Sequence, residues 1–141
     1  MADVVLTELV DRAGLAGQVT VDSCGTGDWH VGQPMDRRAA ATLTAAGFDP
    51  SRHRARVFDP GWLDRHDLVL AMDEHNLTDV RAVAQAAHDG RVRLFRDFDP
   101  AEPGSEVPDP YYGGDAGFEE VLDMVERTSG ALVSALQRAL A

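Results

Sequence analysis

The stretch "DLVLAMDEHNLTDVRAVAQAA", residues 67–87, changes its hydropathic period partway along. "DLVLAM" is a continuous apolar run after its first residue, the pattern of a strand buried on both faces of a parallel sheet. From Asp73 onward the apolar residues Leu77, Val80, Val83 and Ala84 recur at helical spacing and form one stripe. A buried strand that passes directly into an amphipathic helix is one half of a βα crossover, so the stretch predicts an α/β layer fold.

The flanking sequence extends the pattern in both directions. Residues 1–13 carry Val5, Leu6, Leu9, Val10 and Ala13 at helical spacing, and Gly14 and Gly17 end that period before "QVTVDS", whose Val19 and Val21 alternate as in a strand. The loop "SCGTGDWHVGQP" follows, and Asp36 is placed to cap a helix over "RRAAATLTAAG", with Gly47 as its stop. "RVRLF", residues 91–95, predicts the next strand. Asp115 is placed to cap a final helix whose stripe runs through Phe118, Val121, Leu122, Val125, Leu132, Leu136 and Leu140. Parallel strands present their functional loops at their carboxyl ends, which here are "DSCGTGDW", "MDEHN" and "RDFDP" with "PDPYYGG".

At 141 residues and 44% apolar content, the chain suffices for a single domain with one ordinary core. No charge-poor apolar run approaches the roughly 18 residues of a membrane span, and Asp3 and Glu8 stand where a secretory signal is basic and then apolar. These features read as a cytoplasmic protein with no membrane partner. The net charge of -11 repels phosphate backbones, so no nucleic-acid partner is expected. Cys24 is the sole cysteine, which excludes an internal disulfide, and the five histidines show no zinc-motif spacing, so neither metal nor other cofactor is expected.

In "EVPDPYYGGDAGFEEV", residues 106–121, Asp109 stands between two prolines. Pro110 restricts Asp109 to extended or turn conformations and Pro108 stiffens its approach, so a carboxylate is aimed at small entropic cost. A carboxylate held this way suits proton transfer. Together with "TVDSCGTGDWHVGQPMDRRA", "HRAR", "DLVLAMDEHNLTDV" and "RLFRDFDP", this stretch closely resembles the low-molecular-weight protein-tyrosine phosphatases, and the resemblance covers essentially the whole chain.

The resemblance implies a three-layer α/β fold around a small parallel sheet. It also implies cysteine chemistry without metal, acting on a phosphotyrosine protein or a small aryl phosphate. By motif position, Asp109 resembles the general acid, Tyr111 and Tyr112 the aromatic wall that receives the substrate ring, and Trp29 the opposite rim. Ser23, His53 and Asp73 resemble residues that support the phosphate loop.

That loop has the form C-x5-R-[ST] in the family, and the 141 residues do not contain it. "MADVVLTELV" resembles the segment that follows it. The expectation is therefore a single domain shortened at its N-terminus, without the first and central strand of a four-stranded sheet, the nucleophilic cysteine or the phosphate-binding arginine. A chain so shortened is expected to leave neighbouring strands without ladder partners, to carry a slot in its core, to be destabilised and to lack turnover. Cys24 has no arginine at the required interval and reads as a small packed thiol. A non-catalytic binding module is the alternative. Arsenate reduction is disfavoured because it relays electrons through several cysteines.

Overall fold

The computed structural model describes residues 1–25, 32, 34–51, 53, 56–88, 90–108 and 115–141, with the backbone alone at 87, 115 and 116. Its elements run α1 (Ala2–Arg12), α2 (Arg37–Ala45), α3 (Trp62–Arg65), β1 (Val69–Ala71), α4 (Glu74–Val83), a 3₁₀ turn (Ala86–His88), β2 (Val92–Leu94) and α5 (Asp115–Ala139). Among the described residues β1 and β2 form a two-stranded parallel sheet, with Val69 opposite Val92 and Ala71 opposite Leu94. The fold is α/β with a small parallel sheet and helices on both sides.

Two apolar layers hold the sheet. On one face Leu63 of α3 and Leu77 and Val80 of α4 pack on Ala71, Val92 and Leu94. On the other, Val5 of α1, Leu43 of α2 and Val121, Leu122 and Val125 of α5 close over Phe95 and Val107. The α5 stripe is buried from Phe118 to Val133, whereas Leu140, past the last helical residue, is 44% exposed. The predicted stripe therefore overran the helix by one residue.

Helix boundaries follow local chemistry. Asp36 caps α2 by accepting from the N–H groups of Arg38 and Ala39, and Asp73 caps α4 by accepting from Asn76 N–H. Gly14 and Gly47, at φ of 75° and 90°, make the left-handed exits for which a side chain is unfavourable. The α4 helix stops at Val83, short of the predicted Ala87, because Ala84 turns extended and the chain tightens into the 3₁₀ turn. Buried His88 anchors that turn: its Nδ1 accepts from Gln85 N–H at 3.0 Å and its Nε2 donates to Asp64 at 2.8 Å.

The "QVTVDS" segment departs from expectation. It forms no strand; only Gly25 is bridged, donating to Arg56 O and accepting from Phe58 N–H, each at 2.7 Å. A strand is defined by its ladder, and among the described residues this segment has a neighbour on one side only. On its other side a cavity of about 490 Å³ separates it from β1. Arg38, exposed on the first turn of α2, pairs with Asp36 at 3.4 Å and lies over the Phe118 ring at 5.0 Å.

Candidate active site

Two of the residues singled out from sequence converge on a third that the sequence did not reveal. Ser23 Oγ donates to Asp3 Oδ2 at 2.8 Å, and His53 Nδ1 lies 2.7 Å from the same oxygen. Asp3 Oδ1 accepts from Val4 N–H at 2.8 Å and lies 3.9 Å from the Met1 amino group. The first turn of α1 places this carboxylate where backbone N–H groups and the helix dipole favour negative charge.

Burial acts to raise the Asp3 pKa. The His53 hydrogen bond and charge, the Met1 amino group and the Ser23 hydroxyl outweigh it and hold the carboxyl down at about 2. An ionised Asp3 fixes the Ser23 proton toward itself and leaves the oxygen lone pairs available to accept. It likewise fixes the His53 tautomer with its proton on Nδ1.

Replacing Asp3 with Asn is expected to lower stability at pH 7 by about 1–2 kcal/mol, as urea denaturation would show. The Asp3 carboxyl is depressed on folding, so its contribution is complete above the ordinary value of 3.8 and is lost as pH falls through about 2. The difference between the two proteins should close over that acidic window.

A second constellation secures the segment that leads into Asp109. Arg96 Nη1 donates to Glu106 O at 2.6 Å, Glu74 N–H donates to Glu106 Oε2 at 2.7 Å, and Val107 N–H donates to Met72 O at 2.7 Å. Arg96 is itself held by Asp99 and Glu102 at 3.0 and 2.9 Å. Arg127 grips the fully buried Asp99 with two parallel bonds at 2.8 and 2.9 Å. The Arg127 bonds first, then Ala101 N–H and Arg96, hold the Asp99 carboxyl well below the usual range despite its burial. Asp109, Trp29, Tyr111 and Tyr112 lie outside the described residues. Asp73 occupies the cap of α4, beside the Glu106 anchor.

Cys24 lines the cavity beside β1. Burial, then the Asp59 carboxylate, push its thiol up to about 11, with Asp22 adding to the rise and Arg56 opposing it. A thiol nucleophile needs the opposite shift. Alkylation of Cys24 by iodoacetamide is therefore expected to be slow at neutral pH and to accelerate only as pH approaches about 11. Rapid neutral labelling, followed by mass spectrometry, would contradict that environment.

Asp3 escaped the sequence reading because its partners lie 20 and 50 residues away and no local spacing joins them. Its one signal was an acid in the first turn of an amphipathic helix.

A parallel βα unit with an anchored loop beyond the strand end and a partly buried carboxylate at a helix start defines an α/β domain with its polar cluster at the strand ends. The sequence pattern of the family "Low molecular weight phosphotyrosine protein phosphatase" matches residues 1–141, and the chain belongs to that family. It is 45% identical over 140 residues to the low molecular weight protein-tyrosine-phosphatase of Streptomyces coelicolor, covering 97% of this chain and 85% of that protein. It is 39% identical over 121 residues to the low molecular weight phosphotyrosine protein phosphatase of Schizosaccharomyces pombe, covering 84% and 76%. Its structure resembles a protein tyrosine phosphatase from Entamoeba histolytica with a TM-score of 0.92 at 26% identity, covering 99% of this chain and 89% of that one. YfkJ from Bacillus subtilis superposes at 0.89 with 28% identity, covering 98% and 86%. Among the described residues, no helix is long and apolar enough to cross a membrane.

Proposed function

We propose that this domain supplies the acid half of a phosphotyrosine phosphatase that acts through a cysteinyl-phosphate intermediate. The substrate is a phosphotyrosine protein or a small aryl phosphate. A thiolate attacks phosphorus, the bond to the aryl oxygen breaks, and Asp109 hands its proton to the departing phenolate. The resulting Asp109 carboxylate then takes a proton from water as that water attacks phosphorus and expels the thiolate. Trp29, Tyr111 and Tyr112 flank the substrate ring. The Ser23, Asp3 and His53 cluster braces the phosphate loop from below, and Asp73 steadies the start of α4.

The observation that carries this reading is family membership across the chain, combined with anchorage of the backbone at Glu106 and Val107 on the approach to Asp109. The 141 residues contain no C-x5-R, and the raised pKa of Cys24 does not suit it to the nucleophile's part, so in this reading the thiolate and arginine are not drawn from these residues. The 141-residue chain alone is expected to show no turnover of an aryl phosphate. A chimera with a relative's first strand and C-x5-R loop joined ahead of Met1 is expected to hydrolyse it. Turnover by the unmodified chain, or a folded chimera without activity, would overturn the reading.

The absent motif also favours a non-catalytic reading, as a module that binds phosphorylated or aromatic ligands or a partner protein. Titration of the 141-residue chain with a phosphotyrosine peptide separates the two. Binding without turnover supports the module, and no binding supports the incomplete enzyme, since the 141 residues hold no C-x5-R to cradle the phosphate.

A further inference from the structure

The ring of His66 joins two parts of the fold that, among the described residues, share no backbone hydrogen bond: the end of α3, and the segment that leads to Gly25. Its Nδ1 lies 2.9 Å from Trp62 O and its Nε2 lies 3.0 Å from Asp22 Oδ2. A carbonyl oxygen and a carboxylate oxygen both accept and neither donates. A neutral imidazole carries one ring proton, so it meets one of these oxygens with a lone pair. Only the doubly protonated ring donates to both. His88 is the opposite case: Gln85 N–H donates to its Nδ1 at 3.0 Å, which requires that nitrogen to be bare.

The surroundings of His66 suit a cation. Its ring stacks on the Trp62 indole with centroids 4.4 Å apart and planes 13° from parallel, an arrangement in which a charged ring is attracted to the aromatic face. Arg56 Nη1 lies 3.5 Å from the other Asp22 oxygen, so that carboxylate is tied on both sides. Of the other charged groups, Arg65 of α3 is drawn away to Asp59 at 3.2 Å. Asp67, next in the chain, and Asp3 of α1 line the same cavity as His66, and both are acids. α4 and α5 bring no charged residue to that lining. Among the described residues, positions 20–24 make no backbone hydrogen bond, so side-chain ties to Asp22 and Ser23 hold them in place.

We propose that His66 and Asp22 form a proton-operated latch, closed while His66 carries both ring protons and released from one of its two oxygens when it loses one. The ring then turns away from Trp62 O or from Asp22, and either movement loosens the tie on the segment that carries Ser23. Because Ser23 bonds Asp3, the latch is a route by which pH reaches the Ser23, Asp3 and His53 cluster.

The latch is read without turnover, so it stands or falls separately from the hydrolytic reading. The 141-residue chain, labelled with nitrogen-15 in its histidine rings, is compared by NMR at about pH 5.5 and about pH 8.5, on either side of the range in which imidazole exchanges its proton. Both His66 ring nitrogens are expected to carry protons at the lower pH and only one at the higher. The Gly25 and Phe58 amides close the segment onto residues 56–58 through bonds of 2.7 Å. Their hydrogen-exchange protection, corrected for the intrinsic effect of pH, is expected to fall about fivefold from the lower pH to the higher. His66→Gln keeps a donor but has no titrating proton, and should abolish that fall. Asp22→Asn keeps an oxygen without the charge and should shrink it. His53 also reaches this segment, through Asp3, so a fall that survives unchanged in His66→Gln would assign it to His53 and overturn the proposal. A full response in Asp22→Asn would overturn it too. So would a singly protonated His66 ring at the lower pH, a measurement that needs no variant.

Discussion

Replacing Asp99 with Ala is expected to destabilise the domain by about 3 kcal/mol, because it breaks a buried ion pair and leaves one partner behind. Asp99 is fully buried and Arg96 is 3% exposed, so the guanidinium loses its buried countercharge where water cannot replace it and keeps only the exposed Glu102. Arg127 also loses two bonds, but it is partly open to solvent and adapts at smaller cost. For a chain of this size the loss corresponds to a fall in thermal midpoint of about 10 °C, readable by calorimetry. Asp99→Asn keeps an acceptor for Ala101 N–H but removes the charge, and should fall between the two. The carboxyl is depressed on folding, so the wild-type advantage is complete above the ordinary carboxylate range. It is lost as pH falls below that range, because the unfolded chain takes up the proton first. An Asp99→Ala protein as stable as wild type in urea would show that the network carries no stabilisation.

In the chimera that carries a strand and C-x5-R loop, Asp109→Asn is expected to lower kcat by about 10²- to 10⁴-fold on phenyl phosphate, the range for loss of a positioned general acid. The effect should depend on the leaving group. A strongly basic phenolate needs the proton in the transition state, whereas a dinitrophenolate departs unaided, so the loss should shrink markedly with dinitrophenyl phosphate. The basic limb of the pH profile, set by deprotonation of the acid, should vanish with the carboxyl. An equal loss on both substrates would assign Asp109 a structural role instead. Arg96→Met offers a contrast: it frees Glu106 O without removing the acid, so it should reduce kcat on both substrates while leaving the leaving-group dependence intact.

Much of the architecture was legible because burial imposes a period on the sequence. "DLVLAM" announced β1, and the stripe of α5 was readable over most of its length. Asp36 was readable as a cap because a cap bonds within three residues of itself, whereas Asp73 was read only by resemblance, as a support of the phosphate loop, and caps α4. "QVTVDS" was misread as a strand because alternation reports only which side chains are buried, and pairing depends on what lies beside the segment. The Ser23, Asp3 and His53 cluster and the Arg96, Asp99 and Arg127 network were illegible for a related reason. Their members are brought together by packing of α1 and α5 over the sheet, and a single sequence holds no trace of such distances.

Glu106 is engaged in two directions at once, its carbonyl taken by the cation that follows β2 and its carboxylate by the opening N–H of α4. A single residue thus rivets two seams of the molecule. Neither seam can gape without straining the other, so the start of the helix and the approach to the acid should open and close as one cooperative foldon.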